Sequence, residues 1–572
     1  MLDAVVPADV ALLAAWRARV ERAAAHLGWD PRRAVARRHA GGVLLAVTAP
    51  VDQLFLATEV NEWALCAALV ERDPTRWWWL EEALVAAAKD SDVAAHAAAV
   101  TAPVIEENAA LARFRRLAAA EELPRLRTLL QAAEQRALTY SLDESQLTLG
   151  AGAGARDYLL SALPEVTQVA WDALSNIPTA LVTGSNGKTT TVRLLAACAR
   201  AHGWHTGYNC TDGVFIDDEA VATGDYSGPA GTRLVLRDPR VQAAVLETAR
   251  GGILRRGIAV PRADTAVITN ISSDHFGEYG IDDLAGLADV KLSVAAVVRE
   301  DGLLVLNADD SLLRAKADEL ASRNGGSPPL GWFALDADHA QLRAVRQRGA
   351  PTCGVLGGHL WMHFSGADHD LGLVSRMPLS IDGAAGYNIA NLAGAALAAA
   401  ALGIPPRTIA AVFARFGSSL SDNPGRMMRF VYRGARVLID YAHNPDGLRG
   451  FLTVANHLRE GTGRLGMLLG TAGNRKDSDI EALARVAADF GPDLIVVKED
   501  EAHLRGRAAG EIPNIIRAEL LRLGLPESAV PFGDTELAAA KIALEWARPG
   551  DVLAMPLHSP AARADVAALL QG

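Results

Sequence analysis

The sequence has little cysteine and no long apolar segment. Its 572 residues include four cysteines, none in a C-x-x-C arrangement, which argues against a disulfide framework or a zinc knuckle and fits a reducing compartment. The longest apolar run, residues 392–404, is shorter than the roughly 20 residues that a bilayer-spanning helix needs. The first ten residues, MLDAVVPADV, lack the basic start of a signal peptide. We therefore expect a soluble, cytoplasmic protein with no membrane partner.

Positive charge is also scarce. The chain carries 56 Lys and Arg against 67 Asp and Glu, a net charge of −11, so it has no basic excess with which to displace counterions from a phosphate backbone. This balance predicts no nucleic-acid partner. Half of the residues are hydrophobic and 22% are charged, which is typical of globular domains. At roughly 150 residues per domain, the length predicts three or four of them.

Changes in composition and hydrophobic periodicity along the chain predict three domains. Residues 1–170 read as a helix-rich α+β domain with one clear strand at GGVLLAVTAP, and its Trp77-Trp78-Trp79 triplet is interpreted as buried helix packing. Residues 176–420 alternate short apolar runs with helical stretches, which predicts an α/β, doubly wound, mostly parallel sheet. Residues 421–572 repeat that pattern as a smaller α/β domain. Sites in such sheets lie beyond the carboxyl ends of the strands.

The sharpest motif is LVTGSNGKTT, which begins at Leu181. An apolar strand runs into a glycine-containing turn and then into a helix, as in nucleotide-binding P-loops, where backbone N–H groups and the helix N-terminus face phosphate oxygens. Lys188 would add a positive charge, and the Thr189 hydroxyl would bind Mg²⁺. Val182 stands where the general P-loop pattern has its first glycine, so the match is incomplete. The motif predicts an ATP site with Mg²⁺.

Two further strand ends carry polar residues. Glu247 ends the apolar run AAVLE, and His275 follows the run TAVITNI. A carboxylate and an imidazole at neighbouring strand ends predict a second Mg²⁺ site, although each residue alone is more often a solvated or structural one. Lys291 lies on a following helix, where an exposed surface lysine is the simpler interpretation.

These motifs, in this order, resemble those of the Mur ligase family. The closer similarity is to the Mur-like half of the cyanophycin synthetase subgroup, through ETARGGILRRG, NISSDHFGEYG, GYNIANLAGA, GRMMRF and DYAHNPDGL. The resemblance covers residues 176–507 densely. It implies a central P-loop ATPase domain, a C-terminal domain that closes over it, and ATP-dependent ligation.

The resemblance implies a role for each matching residue. Lys188, Glu247, His275 and Lys291 would be catalytic, and Lys291 would carry the carbamate found in several members. The metal ligands would be Thr189, Glu247 and His275. The ATP-binding residues would be Gly184, Asn186, Gly187, Lys188, Thr189, Thr190, Asn388 (at the adenine), Arg426 and Asp440. The substrate contacts would be His443 and Asn444, together with Lys498, Glu499 and Arg505 in a strand-end loop that recognises the amine.

The implied function is an ADP-forming carboxylate–amine ligase that acts through an acyl phosphate on an amino-acid or peptide substrate. About 170 residues precede the Mur-like part, too few for the additional ATP-grasp domain of cyanophycin synthetases, so one ligation step is expected, with a second ligase as a conceivable partner. Alternatives are a folate-like or cell-wall precursor as substrate, and a non-catalytic nucleotide-binding partner of another ligase. Residues 1–170 would bind substrate or serve docking, and a homo-oligomer is conceivable.

Overall fold

A computed structural model of the chain describes residues 1–30, 34–39, 41–89, 104–273, 276, 279–281, 283–321, 328–473, 475–499 and 504–571. These residues form two compact units. Unit 1 comprises the described residues among 1–149, 157–174 and 277–282, and unit 2 comprises the others. Within this described part, no helix combines the length and the apolar character required to cross a membrane.

Unit 1 is built from helices and short strands. In chain order its elements are β1 (Leu2–Ala4), α1 (Val10–Leu27), β2 (Val35–His39), β3 (Gly42–Ala46), α2 (Leu54–Arg72), α3 (Pro74–Trp77), α4 (Leu80–Lys89), α5 (Glu107–Glu121), α6 (Pro124–Gln135), β4 (Tyr140–Leu142), β5 (Gln146–Leu149) and β6 (Arg156–Leu159). The strands form two three-stranded sheets, β1-β3-β2 and β4-β5-β6. The predicted strand at GGVLLAVTAP is β3, the central strand of the first sheet.

The core of unit 1 packs helices α1, α2 and α5 around large aromatic side chains. Trp16, Trp63 and Phe114 are fully buried, and the Trp16 indole N–H donates to Oδ1 of Asn61 at 2.9 Å. The tryptophan triplet is different: Trp78 and Trp79 are 63% and 44% exposed. The interpretation of the triplet as buried packing is therefore wrong for these two residues.

Glu59 on α2 gives unit 1 a testable pH dependence. Burial raises the pKa of its carboxyl to about 7, which the charge of Arg113 only partly offsets. Between pH 4.5 and 7 the folded chain keeps a proton that the unfolded chain has lost, so this group's contribution to stability falls as pH rises through that window and is constant above it.

We therefore expect Glu59→Gln to stabilise unit 1 by up to about 3 kcal/mol at pH 8 and by almost nothing at pH 4.5. Hydrogen exchange of α2 in the full chain, corrected for the intrinsic pH dependence, measures this difference. Glu82→Gln, at an exposed carboxylate of α4, is the matched control. Equal protection of parent and Glu59→Gln at pH 8 would contradict the prediction.

Unit 2 begins with the elements of a large sheet. They are β7 (Thr179–Thr183), α7 (Lys188–His202), β8 (Thr206–Cys210), β9 (Gly213–Ile216), β10 (Glu219–Thr223), α8 (Pro229–Arg237), β11 (Ala243–Glu247), α9 (Arg250–Arg256), β12 (Ala263–Ile268), α10 (Leu284–Leu292), β13 (Val298–Asn307), α11 (Ser311–Ala321), β14 (Leu330–Asp336), α12 (Ala340–Arg346), β15 (Thr352–Leu356), β16 (His359–Phe364), β17 (Ala367–Leu373), α13 (Gly386–Ala401) and α14 (Pro406–Phe413).

This sheet has eleven strands in the order β10-β9-β8-β11-β7-β12-β13-β14-β15-β16-β17. In this spatial order, β8, β11, β7, β12, β13, β14 and β15 pair in parallel. Antiparallel strands extend the sheet at both edges, β9 and β10 next to β8, and β16 and β17 next to β15. Hydrophobic clusters cover both faces, and the alanine-rich helix α13 is buried in one of them. The α/β, mostly parallel fold class is confirmed. β7 lies between β11 and β12, so the P-loop turn emerges next to the ends of both neighbours.

A second sheet of unit 2 follows Arg426. Its elements are β18 (Met428–Tyr432), β19 (Ala435–Asp440), α15 (Pro445–His457), β20 (Leu465–Leu469), α16 (Asp477–Asp489), β21 (Leu494–Lys498), α17 (Glu511–Arg522), β22 (Phe532–Gly533), α18 (Glu536–Trp546), β23 (Val552–Pro556) and α19 (Pro560–Gln571). The order is β18-β19-β23-β20-β21-β22, and only β18 is antiparallel to its neighbour. The polar loop after β19 lies at the strand ends of the large sheet, where Asn444 hydrogen-bonds to Asn186 in the turn after β7.

Candidate active site

Two glycines shape the loop between β7 and α7. Gly187 has a φ of +85°, and a Cβ on it would lie 2.2 Å from Oδ1 of Asn391. Gly184 has a φ of +143°, and a Cβ on it would lie 1.9 Å from Oγ1 of Thr269. Both positions therefore require glycine, since another residue would be strained and would collide with these neighbours. The loop is therefore held close to the end of β12 and to α13.

The N-terminus of α7 opens into a cavity of about 560 Å³, which we call the large cavity. Gly187, Lys188, Thr189 and Thr190 line it. Helix N-termini present N–H groups without intrahelical partners and a partial positive charge, which favours anions. Nζ of Lys188 donates to the carbonyl of Ser185 at 2.9 Å, which folds the ammonium back over the loop. The volume is in the range of roughly 300–1,000 Å³ typical of small-molecule sites.

Glu247 ends β11 at the inner wall of the large cavity. It is fully buried, and its carboxylate accepts hydrogen bonds from the hydroxyls of Thr189 at 2.9 Å and Thr211 at 3.2 Å. Burial raises the pKa of the Glu247 carboxyl, while the charge of Lys188 and the Thr189 hydrogen bond lower it. A buried carboxylate next to cations and hydroxyls is typical of a site that receives a further positive charge.

This donor set fits Mg²⁺. Carboxylate and hydroxyl oxygens are hard ligands, and Mg²⁺ is commonly bound through one or two carboxylates with substrate phosphates and water completing its shell. Within the described part of the chain, no group of three or more His, Cys, Asp or Glu forms a metal cluster. Thr189 and Glu247 would therefore hold the ion together with a bound phosphate.

Residues that follow the large sheet close the opposite wall of the cavity. Nη2 of Arg426 lies 3.4 Å from Oγ1 of Thr189, and its guanidinium stacks 4.2 Å from the ring centroid of Tyr441. Nη1 of Arg426 is buried without a hydrogen-bond partner among the described residues, as is typical of a group that awaits an anion. Burial raises the pKa of the nearby Asp440 carboxyl, against the lowering effect of Arg426.

A second contact joins the P-loop turn to the segment after β19. Nδ2 of Asn444 donates to Oδ1 of Asn186 at 2.9 Å, and Oδ1 of Asn444 caps α15 by accepting the N–H of Gly447 at 2.8 Å. The backbone N–H of Asn186 in turn donates to Oδ1 of Asn270 at 3.0 Å. The two sheets of unit 2 thus meet through hydrogen bonds at the rim of the large cavity.

Comparison with known proteins places this geometry in a family. A family profile described as the Mur ligase middle domain matches residues 182–331, and one described as the Mur ligase glutamate ligase domain matches residues 425–555. The UDP-N-acetylmuramoyl-L-alanyl-D-glutamate–2,6-diaminopimelate ligase of Xanthomonas campestris pv. campestris is 31% identical over 384 residues, 65% of this chain and 70% of the relative. The chain belongs to the Mur ligase family.

Cyanophycin synthetases are similar over a smaller part of their own length. The cyanophycin synthetase of a Synechocystis strain is 37% identical over 348 residues, which is 61% of this chain but 39% of the relative, so this chain spans about two fifths of that protein. Among solved structures, E. coli FolC in complex with DHPP and ADP aligns with 69% of this chain and 88% of its own at 18% identity, with a TM-score of 0.49.

The structure brings most of the predicted site residues together. Those that line the large cavity are Asn186, Gly187, Lys188, Thr189, Thr190, Glu247, Arg426, Asp440 and His443. Gly184 shapes the loop without lining the cavity, and Asn444 hydrogen-bonds to its rim. His275 lies outside the described residues.

The predicted adenine contact differs in the structure. Asn388 is buried, where its Nδ2 donates to the carbonyl of Leu379 at 3.0 Å, and it does not line the large cavity. Tyr387, Ala390 and Asn391 do line it, because they lie about one helical turn apart on one face of α13. The role of Asn388 at the adenine stays a prediction.

Lys291 is buried in the last turn of α10, with 3% of its surface exposed. The interpretation of Lys291 as an exposed surface lysine is therefore wrong. It is not among the residues that line the large cavity, and its role beside the metal stays a prediction.

The predicted amine-recognition loop is also corrected. Lys498 is the last residue of β21 rather than a loop residue, and its fully buried ammonium forms an ion pair with Glu536. Glu499 is buried, and it accepts the N–H of Gly510 at 2.6 Å. Arg505 is exposed, with a φ of +45°. None of the three lines the large cavity, and their role in recognition of the amine stays a prediction.

The sequence analysis does not include two residues of the candidate site. Thr211 supplies the second hydroxyl to Glu247, and Tyr441 supplies the face on which Arg426 stacks. Thr211 lies directly after β8 and Tyr441 lies directly after β19. A polar residue at the carboxyl end of a strand indicates a candidate site residue, and both positions meet that criterion.

A smaller cavity of about 270 Å³ adjoins the large one, and His443 and Asp446 line both. We call it the small cavity. It combines two carboxylates, a guanidinium, an imidazole and hydroxyls with apolar side chains. Its lining residues are Ser273, Phe276, His443, Pro445, Asp446, Thr471, Arg475, Asp479, Ala482 and Leu483.

Proposed function

We propose that this protein is an ATP-dependent, ADP-forming carboxylate–amine ligase. The observation that carries the proposal is the convergence of three features on the large cavity: the α7 N-terminus with Lys188, the buried Glu247–Thr189 pair, and the unpartnered nitrogen of Arg426. Positive charges and a metal-binding carboxylate around one volume suit a triphosphate. The similarity to diaminopimelate ligases and cyanophycin synthetases supports the same chemistry.

The proposed reaction has two steps. A substrate carboxylate oxygen attacks the γ-phosphorus of ATP, and the bond from that phosphorus to the β–γ bridging oxygen breaks, which releases ADP and leaves an acyl phosphate. The nitrogen of an amine then attacks the acyl carbon and loses a proton, and inorganic phosphate departs. Lys188 and Arg426 would neutralise phosphate charge, and Asn186 and Asn444 would keep the C-terminal segment closed against water.

Thr189 and Glu247 would hold Mg²⁺, with His275 as a further candidate ligand. When bound, the ion supplies charge neutralisation on the phosphate oxygens. The fully buried carboxylate of Glu247 and its two hydroxyl partners are the features that support this assignment.

We propose that the amine or the acceptor binds in the small cavity, next to His443. Arg475 suits a substrate carboxylate, and Asp446 and Asp479 suit a cationic amine. These groups favour an amino acid or a short peptide as substrate.

We further propose the domain bounds 1–170, 176–420 and 421–572, a cytoplasmic location in line with four unpaired cysteines, and no nucleic-acid partner. A second ligase and a homo-oligomer remain proposed partners.

Phosphate release from ATP and Mg²⁺ tests the proposal. We expect release that depends on an acceptor when pooled amino acids and short Asp-containing peptides are supplied, and a product whose mass equals the two substrates minus water. Mass spectrometry of the positive pool identifies both substrates. ATP binding without substrate-dependent phosphate release in any pool would instead favour a nucleotide-binding partner of another ligase.

A further inference from the structure

Asp212, in the turn between β8 and β9, binds two arginines from distant parts of unit 2. Its Oδ2 accepts from Nη2 of Arg193 on α7 at 2.7 Å, and its Oδ1 accepts from Nη2 of Arg563 on α19 at 2.9 Å. All three side chains are largely buried, with 18%, 4% and 10% of their surface exposed, respectively. One carboxylate thus joins the helix of the P-loop to the last helix of the second sheet.

The other side of Arg193 holds the backbone that leads into Arg426. Its Nη1 donates to Oδ1 of Asn423 at 3.2 Å and to the carbonyl of Pro424 at 2.9 Å. Nδ2 of Asn423 donates in turn to Oγ1 of Thr190 at 3.2 Å. The connection between the two sheets is therefore fixed to the first turns of α7.

Arg563 fixes the next residue of the same connection. Gly425 has a φ of +72°, and a Cβ on it would lie 1.8 Å from Nη1 of Arg563. The guanidinium of Arg563 thus rests against the backbone immediately before Arg426. Arg563 also lies over the ring of Tyr441, 5.7 Å from its centroid, on which Arg426 stacks more closely.

Asp212 is the charge that makes this arrangement stable. Although burial opposes its ionisation, the positive charges of Arg426, Arg193 and Arg563 lower the pKa of Asp212 below its ordinary value. An ionised Asp212 offsets the repulsion among three neighbouring guanidinium groups. Without it, Arg563 and the segment 423–426 would lose the partner that keeps them against α7.

We propose that Asp212 is a positioning residue that locks the C-terminal segment onto the P-loop helix through Arg193 and Arg563, and thereby sets Arg426 beside Thr189. This inference rests on the proposed ligase function, because its purpose is to place Arg426 at the phosphates. It assigns Asp212 no contact with substrate. The Asp212–Arg563 bond would form when the second sheet closes and break when it opens.

The test compares Asp212→Asn, Arg563→Met and the double variant in the full chain. We expect each to lower the kcat of phosphate release about tenfold while the KM for ATP changes less than about threefold, and the double variant to be no worse than either single one. The control is Asp551→Asn, which breaks the buried ion pair with Arg464 inside the second sheet, where the Nη2–Oδ2 distance is 2.6 Å. The control variant should unfold more easily than the parent, but its kcat should not fall tenfold at a nearly constant KM for ATP.

A readout without turnover separates this proposal from the proposed function. Upon addition of Mg·ADP, we expect the parent to gain hydrogen-exchange protection at residues 184–190 and at 423–429. Asp212→Asn and Arg563→Met should keep the first and lose the second. Parent-like protection at 423–429 in both variants, or additive losses of kcat in the double variant, would overturn the positioning role. Absence of protection at 184–190 in the parent would instead overturn the nucleotide site.

Discussion

Lys188→Ala is expected to abolish acceptor-dependent phosphate release, with a loss of about a thousandfold or more. The Lys188 ammonium lies over the loop at the N-terminus of α7, where the β- and γ-phosphates of ATP would sit in the large cavity. Charge develops on those oxygens as the γ-phosphoryl group is transferred, so the missing cation raises the barrier of the chemical step more than it weakens binding. Phosphate release and product mass measure the loss.

Lys541→Ala is the matched control for this variant, because Lys541 is exposed on α18. It should keep parental activity. Circular dichroism should show the same fold for both variants, since the Lys188 ammonium makes a single side-chain hydrogen bond within the part of the chain that the structure describes. Substantial activity in Lys188→Ala would place the triphosphate somewhere other than the large cavity.

Glu247→Gln is expected to keep nucleotide binding within a few-fold of the parent and to lower turnover about a hundredfold or more. Glutamine has the shape of glutamate. Its carbonyl oxygen can accept from one of the two threonine hydroxyls and its amide nitrogen can donate to the other, so the substitution removes chiefly the charge that would hold Mg²⁺. Binding of a fluorescent ADP analogue and single-turnover phosphate release measure the two effects separately.

The stability of the same variant distinguishes a lost metal ligand from a damaged fold. Burial raises the pKa of Glu247, so the ionised carboxylate destabilises the folded chain, and the neutral amide should melt at the parental temperature or above it. Glu219→Gln, at an exposed carboxylate of β10 in the same sheet, should change neither turnover nor melting. Loss of nucleotide binding together with turnover in Glu247→Gln would contradict the separate role of this carboxylate.

The parts of the site that follow single strands were predictable from the sequence. The runs that contain Val182 and Leu246 are apolar because their strands are buried on both faces, and each ends at a polar residue that the parallel sheet brings to the same edge. For that reason the sequence predicts that Glu247 and the turn after β7 lie at the same edge of the sheet. The family motif added Arg426 and Asp440, which strand patterns alone do not connect to the P-loop.

The face of α13 was not predictable in the same way. Its sequence, GYNIANLAGAALAAAA, is small and apolar on every side, so hydrophobic periodicity cannot indicate which residues point into a cavity. Asn388 and Asn391 are about one turn apart, and the packing of the helix on the sheet turns Asn391 toward the large cavity and Asn388 toward Leu379.

Long-range ion pairs account for the remaining differences. Lys498 reads as a polar strand end, and its burial depends on Glu536, which is supplied by another helix. Asp212 and Arg563 are 351 positions apart, and nothing local in either segment indicates that they meet. Trp78 and Trp79 show the converse case, since large apolar side chains favour burial in general but two of the three are exposed here.

The shared carboxylate of Asp212 also restricts how this chain can be recombined with its relatives. In a chimera that joins residues 1–420 to the C-terminal domain of a relative, Arg193 and Asp212 would need a guanidinium at the position of Arg563 on the grafted helix. If the grafted helix carries none, we expect the hybrid to fold each half and to bind nucleotide, yet to turn over slowly until an arginine is introduced there. Exchange of specificity between relatives would therefore require this remote pair along with the substrate pocket.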